Sequence, residues 1–269
     1  RYHKVTGVQT CALPIFRFRK SMSREYDGRT TTFSPDGRLY QVEYAMEAIN
    51  NAACAIGILT KEGIVFGIEK KMISKLLAKV GDSEKVYPID NHIMCAVAGL
   101  TSDASILLQD ARKDAQEYLY KYGQPKPVEE LVEYICSVKH AYTQVGGLRP
   151  FGVSFLFAGW DAVNGYQLYH SDPSGNYSGW KGHAIGSNST LARDMLKKEL
   201  KDDMTLDEAM MLEARILFKT MDVNELSTDR MEFSVLYRME NGKIKQHILT
   251  KEETQAMFDR IPKNSLRKE

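Results

Sequence analysis

The sequence predicts an α+β chain built as a four-layer αββα sandwich, with two antiparallel sheets face to face and helices over each outer surface. Three features lead there. The strand-like runs come as hairpins and do not alternate with single helices, which points to antiparallel rather than parallel sheets. The helical segments come in pairs. No linker or internal repeat interrupts the pattern, so every apolar face serves one core.

The elements follow in chain order. Ser34 and Pro35 mark a turn and a helix start, and Leu39, Val42, Met46 and Ile49 then fall at helical spacing, so a helix is expected over 34–50. CAIGILT and GIVFGIE read as a hairpin joined by Lys61, Glu62 and Gly63, and HIMCAVAG reads as a third strand. Ser102 is the expected cap of a long helix with a stripe of Ala104, Leu107, Leu108, Ala111, Ala115, Tyr118, Leu119 and Tyr122, stopped by Gly123 and Pro125. Pro127 opens the next helix, with Val128, Leu131, Val132, Ile135 and Val138 inward, and Gly146–Gly147 closes it. VSFLFAGW and GYQLYH form a second hairpin, and SNSTLARDMLKKEL is helical. Thr205 with Glu208 is a capping box before a helix that buries Leu206, Ala209, Met210, Leu217 and Met221. EFSVLYR and KIKQHIL make a last hairpin around Asn241–Gly242. The domain is expected to span 22–257, followed by a polar tail over 258–269.

Residues 1–21 stand apart. They are basic and lack any helical or strand period, and VTGVQTCALPI resembles translated sequencing-adaptor sequence. We therefore expect a non-native or disordered leader with Met22 as the start, and leave it out of the functional reading.

Composition excludes several classes of function. With 36 Lys+Arg against 35 Asp+Glu the net charge is +1, which exerts no general pull on nucleic acid or an anionic membrane. A basic-tail nucleic-acid binder would rest on Arg17 to Arg24 alone. No apolar run approaches the roughly 18 to 20 residues of a membrane span. Cys54, Cys95 and Cys136 sit among apolar neighbours and read as buried small hydrophobes, and with Cys11 they match no zinc spacing. The six histidines show no i, i+4 pairing and read as surface or locally satisfied groups. There is no phosphate-binding glycine loop, HExxH or GxSxG, and no cofactor is expected.

YDGRTTTFSPDGRLYQVEYAMEAI resembles the N-terminal signature of the α-type subunits of the 20S proteasome. The resemblance continues through AVAGLTSDA, YTQVGGLRPFGVSFLFAGWD and YQLYHSDPSGNYSGWKGHAIG, from about Ser23 to Thr250. Three stretches, KLL after the second strand, AYTQVGGLRPFGVS and DPSGNYSGW, resemble one type of α subunit in particular. The resemblance implies the N-terminal nucleophile hydrolase fold, which is the sandwich already inferred.

Catalytic relatives of that fold use an N-terminal Thr whose hydroxyl attacks and whose free amine is the base. Aligned through GIVFGIEKK, this chain has Ala53 at the nucleophile position, with Glu69 and Lys85 where the supporting carboxylate and lysine would be. Ala53 has no oxygen, and its nitrogen is in a peptide bond, so a non-catalytic subunit is expected. The alternative is an active N-terminal threonine hydrolase. Thr30, Thr31 and Thr32 do not support it, because they precede a Phe-Ser-Pro turn and not a strand.

The resemblance implies a scaffold and gate: a seven-membered α ring against a β ring, with tails closing an axial pore through which unfolded substrates pass. Tyr26, Asp27, Pro35 and Tyr44 match the cluster that holds the open gate, and Lys85 matches the lysine that meets the C-terminal carboxylate of an activator such as a regulatory-particle ATPase. The implied location is cytoplasm and nucleus, and the implied role is in ubiquitin-dependent and ubiquitin-independent degradation. Two departures stand out: Ala52-Ala53-Cys54 replaces a frequent Gly-Ser-Thr, and Gly28 replaces a frequent Arg or Ser.

Overall fold

The computed structural model describes residues 28–70, 85–221 and 227–261. A turn precedes helix α1, Tyr40–Asn50. The hairpin β1 (Ala55–Leu59) and β2 (Gly63–Glu69) follows, and then the hairpin β3 (Val86–Asp90) and β4 (Ile93–Gly99). Helices α2 (Thr101–Tyr122) and α3 (Val128–Gln144) lead into β5 (Val153–Asp161), β6 (Gly165–Ser171), β7 (Tyr177–Gly179) and β8 (Gly182–Ile185). The remaining elements are α4 (Ser189–Glu199), α5 (Leu206–Thr220), β9 (Met231–Arg238), β10 (Ile244–Ile248) and α6 (Lys251–Asp259).

Two five-stranded sheets result, in the orders β10-β9-β2-β1-β8 and β3-β4-β5-β6-β7, with every pairing antiparallel. Three apolar layers hold them. Ile64, Phe66 and Ile68 of β2 meet Met94, Ala96, Leu156 and Leu168 of the other sheet in the central layer. Val65, Phe233 and Val235 face α4, α5 and α6. Cys95, Phe155 and Phe157 face α2 and α3. Central strands are thus covered on both faces, which explains why CAIGIL and GIVFGI run apolar without alternation. Each fully buried Phe or Ile contributes about 1.5–3 kcal/mol. The expected sandwich is the observed one.

Several details differ from expectation. The helix expected over 34–50 begins at Tyr40, because 34–39 forms a turn. Gly37 adopts φ +73°, outside helical geometry, and its N–H donates to the Ser34 carbonyl at 2.8 Å. Ser102 does not cap α2. The N-cap is Leu100, without a side-chain bond, and Asp103 in the first turn accepts from the Gly152 N–H and from Arg149. The stripe of α2 is buried only through Ala115, and Leu119 and Tyr122 are exposed. On α3 the deepest side chain after Cys136 is Lys139, not Val138. Its ammonium donates to Ser171 Oγ at 2.8 Å and to the Val153 carbonyl at 3.1 Å, while burial pushes its pKa down to about 8.

Strand β3 escaped the sequence reading because Pro88 interrupts it, and a strand containing Pro belongs at an edge. β3 is indeed an edge, and its register shifts between Pro88 and Asp90. The turn at Asn241–Gly242 has three residues and not two, with Gly242 at φ +82° and Met239 paired to Lys243. The polar tail does not begin at 258. Thr250 and Glu253 form a second capping box, and the α6 that it opens buries Met257 and Phe258, with Ile261 buried just beyond it.

Candidate functional site

The link from α1 to β1 carries the candidate site. Ala53 is buried and joined by an ordinary peptide bond to Ala52, whose carbonyl accepts the Ser187 N–H at 2.8 Å. The Cys54 N–H donates to Glu69 Oε2 at 3.1 Å, and the Glu69 N–H returns to the Cys54 carbonyl at 2.9 Å. Lys85, just before β3, directs its Nζ to the Ala53 carbonyl at 3.4 Å. Three residues far apart in the sequence, Ala53, Glu69 and Lys85, thus converge.

The convergence has no attacking group. Ala53 offers a methyl, and the carboxylate and ammonium are spent on the backbone of the same segment. Cys54 is the nearest sulfur, but burial and the neighbouring Glu69 push its thiol up to about 12, far from a thiolate nucleophile. Thr30 and Thr31 precede the Ser34–Arg38 turn and do not begin a strand. Among the described residues no group of three or more His, Cys, Asp or Glu side chains could hold a metal ion. No helix among them is long and apolar enough to cross a membrane.

Gly186 buttresses the segment. Its φ is +91°, and a Cβ there would lie 2.6 Å from the Ala53 carbonyl oxygen. Gly186→Ala should therefore destabilise the chain by about 1–3 kcal/mol through left-handed strain and the forced displacement of the Ala53 carbonyl. Urea unfolding measures it, and an unchanged midpoint would contradict this packing.

Of the four residues expected at a gate, two lie among the described residues. Tyr26 and Asp27 lie outside the described residues, as does the KLL stretch. Pro35 sits exposed at the crest of the turn, which is closed by Ser34 N–H to Arg38 C=O at 2.9 Å and Arg38 N–H to Ser34 Oγ at 3.1 Å. Tyr44 is 48% exposed on α1, its ring 6.4 Å from that of Tyr40. Phe33 is also exposed.

Sequence reasoning missed one cluster. His170 on β6 and His183 on β8 stack with ring centroids 4.5 Å apart, although the strands lie in different sheets. Trp180 covers the other side of His183 at 4.3 Å. His183 is buried with its Nδ1 unpartnered, contrary to the expectation of surface or locally satisfied histidines. Spacing could not reveal a pair that meets across two sheets.

The two antiparallel five-stranded sheets between helical layers define an α+β sandwich of the N-terminal nucleophile hydrolase class. The comparisons with known proteins agree. The family described as "Proteasome subunit" matches residues 49–236, and the N-terminal signature of the A-type proteasome subunits matches residues 26–48. The chain belongs to the proteasome subunit family, as an alpha-type, non-catalytic ring member of a threonine-type protease complex. It is 57% identical to the alpha type-4 proteasome subunit of Spinacia oleracea over 227 residues, 84% of this chain and 91% of the relative. It is 56% identical to the alpha type-4-A proteasome subunit of Arabidopsis thaliana over 84% of this chain and 91% of that one. It is 55% identical to the alpha type-4 proteasome subunit of Petunia hybrida over 88% and 95%. It assembles with other proteasome subunits in a ring.

Proposed function

We propose that this protein, beyond its place in the ring, helps gate the axial pore and forms one wall of a docking pocket for activator C-termini. The carrying observation is the Ser34–Arg38 turn. Its cross-turn hydrogen bonds hold Pro35 rigidly ahead of α1, and Tyr44 stands exposed on the next turns of the same segment. A phenol exposed beside a rigid turn can take a carboxylate from a neighbouring tail, and in our reading Tyr26 and Asp27 complete that contact. Such a charge-assisted bond contributes about 1.5–3 kcal/mol.

The pocket reading rests on Lys85. Its ammonium, a point charge with three donors of which one meets the Ala53 carbonyl, suits a peptide-terminal carboxylate. The partners in this reading are six further α subunits, the β ring, regulatory-particle ATPases or other activators, and unfolded proteins passing the gate. The setting is ubiquitin-dependent and ubiquitin-independent degradation in cytoplasm and nucleus.

The test is peptide hydrolysis by particles assembled with Tyr44→Phe or Lys85→Ala. Tyr44→Phe should lower the activated rate and leave the unstimulated rate alone. Lys85→Ala, in a particle whose other docking pockets have been disabled, should shift the activator titration to higher concentration. An unchanged activated rate removes the gate role of Tyr44, and an undiminished activator affinity removes the docking role of Lys85.

A further inference from the structure

Trp180 lies where the chain crosses from one sheet to the other between β7 and β8, on the wall of a cleft of about 600 Å³ against α4. We propose that this cleft binds a small ligand made of a planar aromatic ring carrying an anionic group.

The ring subsite is already built. Trp180 packs on His183 at an interplanar angle of 35°, and His183 is backed in turn by His170 at 33°, so the indole is held from behind by two tilted rings. Its Nε1–H donates to Ser178 Oγ at 2.8 Å, which fixes its rotation. The indole nevertheless remains 41% exposed. A held aromatic surface that is still partly exposed favours a second ring packed on it. Leu196 and Leu200 line the same cleft and supply apolar contact.

The anion subsite is Arg193. Lys181, on the same rim, is neutralised by Asp202 at 2.7 Å, and Lys197 lies 3.8 Å from Asp194. Arg193 instead meets neutral acceptors, the Ser189 carbonyl at 3.2 Å and Thr190 Oγ1 at 3.4 Å. No carboxylate pairs with it among the described residues. A guanidinium oriented by two neutral acceptors keeps donors for a carboxylate or phosphate. His183 lines the same cleft behind the indole and supports it.

Two sources share this chemistry, a free peptide terminus ending in an aromatic residue and a nucleoside monophosphate. N-acetylphenylalanine and AMP serve as the probes. The chain has two tryptophans, so Trp160→Phe leaves the fluorescence of Trp180 alone. The full chain in this background should show saturable quenching with at least one probe, and the responding probe identifies the source. Arg193→Gln should weaken that binding about 10-fold or more, and Lys181→Ala should change it less than about twofold, its charge being already paired. If Trp160→Phe prevents folding, calorimetric titration of the unmodified chain with the same probes decides. Absence of saturable binding by both probes overturns the proposal. So does binding unchanged in Arg193→Gln, or an equal loss in Lys181→Ala, which would reduce the effect to general charge attraction.

Discussion

Glu213→Met should stabilise this chain by about 1–3 kcal/mol, the cost of an unsatisfied buried polar group, and raise its melting temperature by roughly 3–10 °C. Glu213 lies on α5 with no accessible surface, and neither carboxyl oxygen has a hydrogen-bond partner. Gly67 of β2 makes room for it, since a Cβ there would fall 2.8 Å from Oε2. Burial alone holds its carboxyl pKa well above the usual range, which favours the protonated form in the folded chain. The sign follows from linkage. The folded pKa is raised, so the stability tied to this group is fully present below about pH 4.5 and is lost as pH climbs toward the folded value, at about 1.4 kcal/mol per pH unit. Methionine removes both the orphaned oxygens and the pH dependence. Glu213→Gln should remove only the pH dependence, because its amide is equally unpartnered. Thermal melts of the three chains from pH 5 to 8 check this. A methionine variant less stable than the parent at pH 7 would refute the reading.

The stacked histidines should act in the opposite direction. Burial, with Lys139 and Arg193 nearby, pushes His170 down to about 4, and burial, with His170 and Arg193, pushes His183 down to about 3. Both therefore take a proton more readily in the unfolded chain. Their contribution is complete above about pH 6.5 and is lost as pH falls toward 4 and 3, on the order of 3 kcal/mol for His170 and 5 kcal/mol for His183 before coupling between them is counted. Above about pH 4.5 the raised carboxyl opposes the two lowered histidines. The parent chain should then weaken on acidification less steeply than Glu213→Met. The double variant His170→Gln/His183→Thr should instead gain stability as pH falls toward about 4.5. Urea midpoints between pH 4.5 and 7 separate these slopes. A double variant with the parent's acid sensitivity would show that the stack does not control it.

The sandwich was legible in the sequence because its evidence is local. Hairpins, capping boxes and helical stripes involve residues within a few positions of one another, and they fix element type without knowledge of partners. The capping box at Thr205 was read, and the same signal at Thr250 was there to be read. The convergence of Ala53, Glu69 and Lys85 was expected from the alignment through GIVFGIEKK, and the structure brings the three together. The start of α1 was less legible. Ser34-Pro35 fits a helix start as well as a turn, and only the left-handed backbone of Gly37 decides between them.

By itself the sequence determined the sandwich and the non-catalytic alpha-type class, since hairpins, capping boxes and the N-terminal signature are local. Only the tertiary structure decided what the remaining groups do. Glu69 and Lys85 grip the Ala53–Cys54 backbone, His170 meets His183 across two sheets, and Glu213 lies inside although its charge suggests outside. Its position on α5, one helical turn from Ala209 and one from Leu217, already pointed inward, but phase and residue type disagreed. Burial depends on which surface the opposing sheet presents, here the bare backbone of Gly67, and no local pattern carries that information.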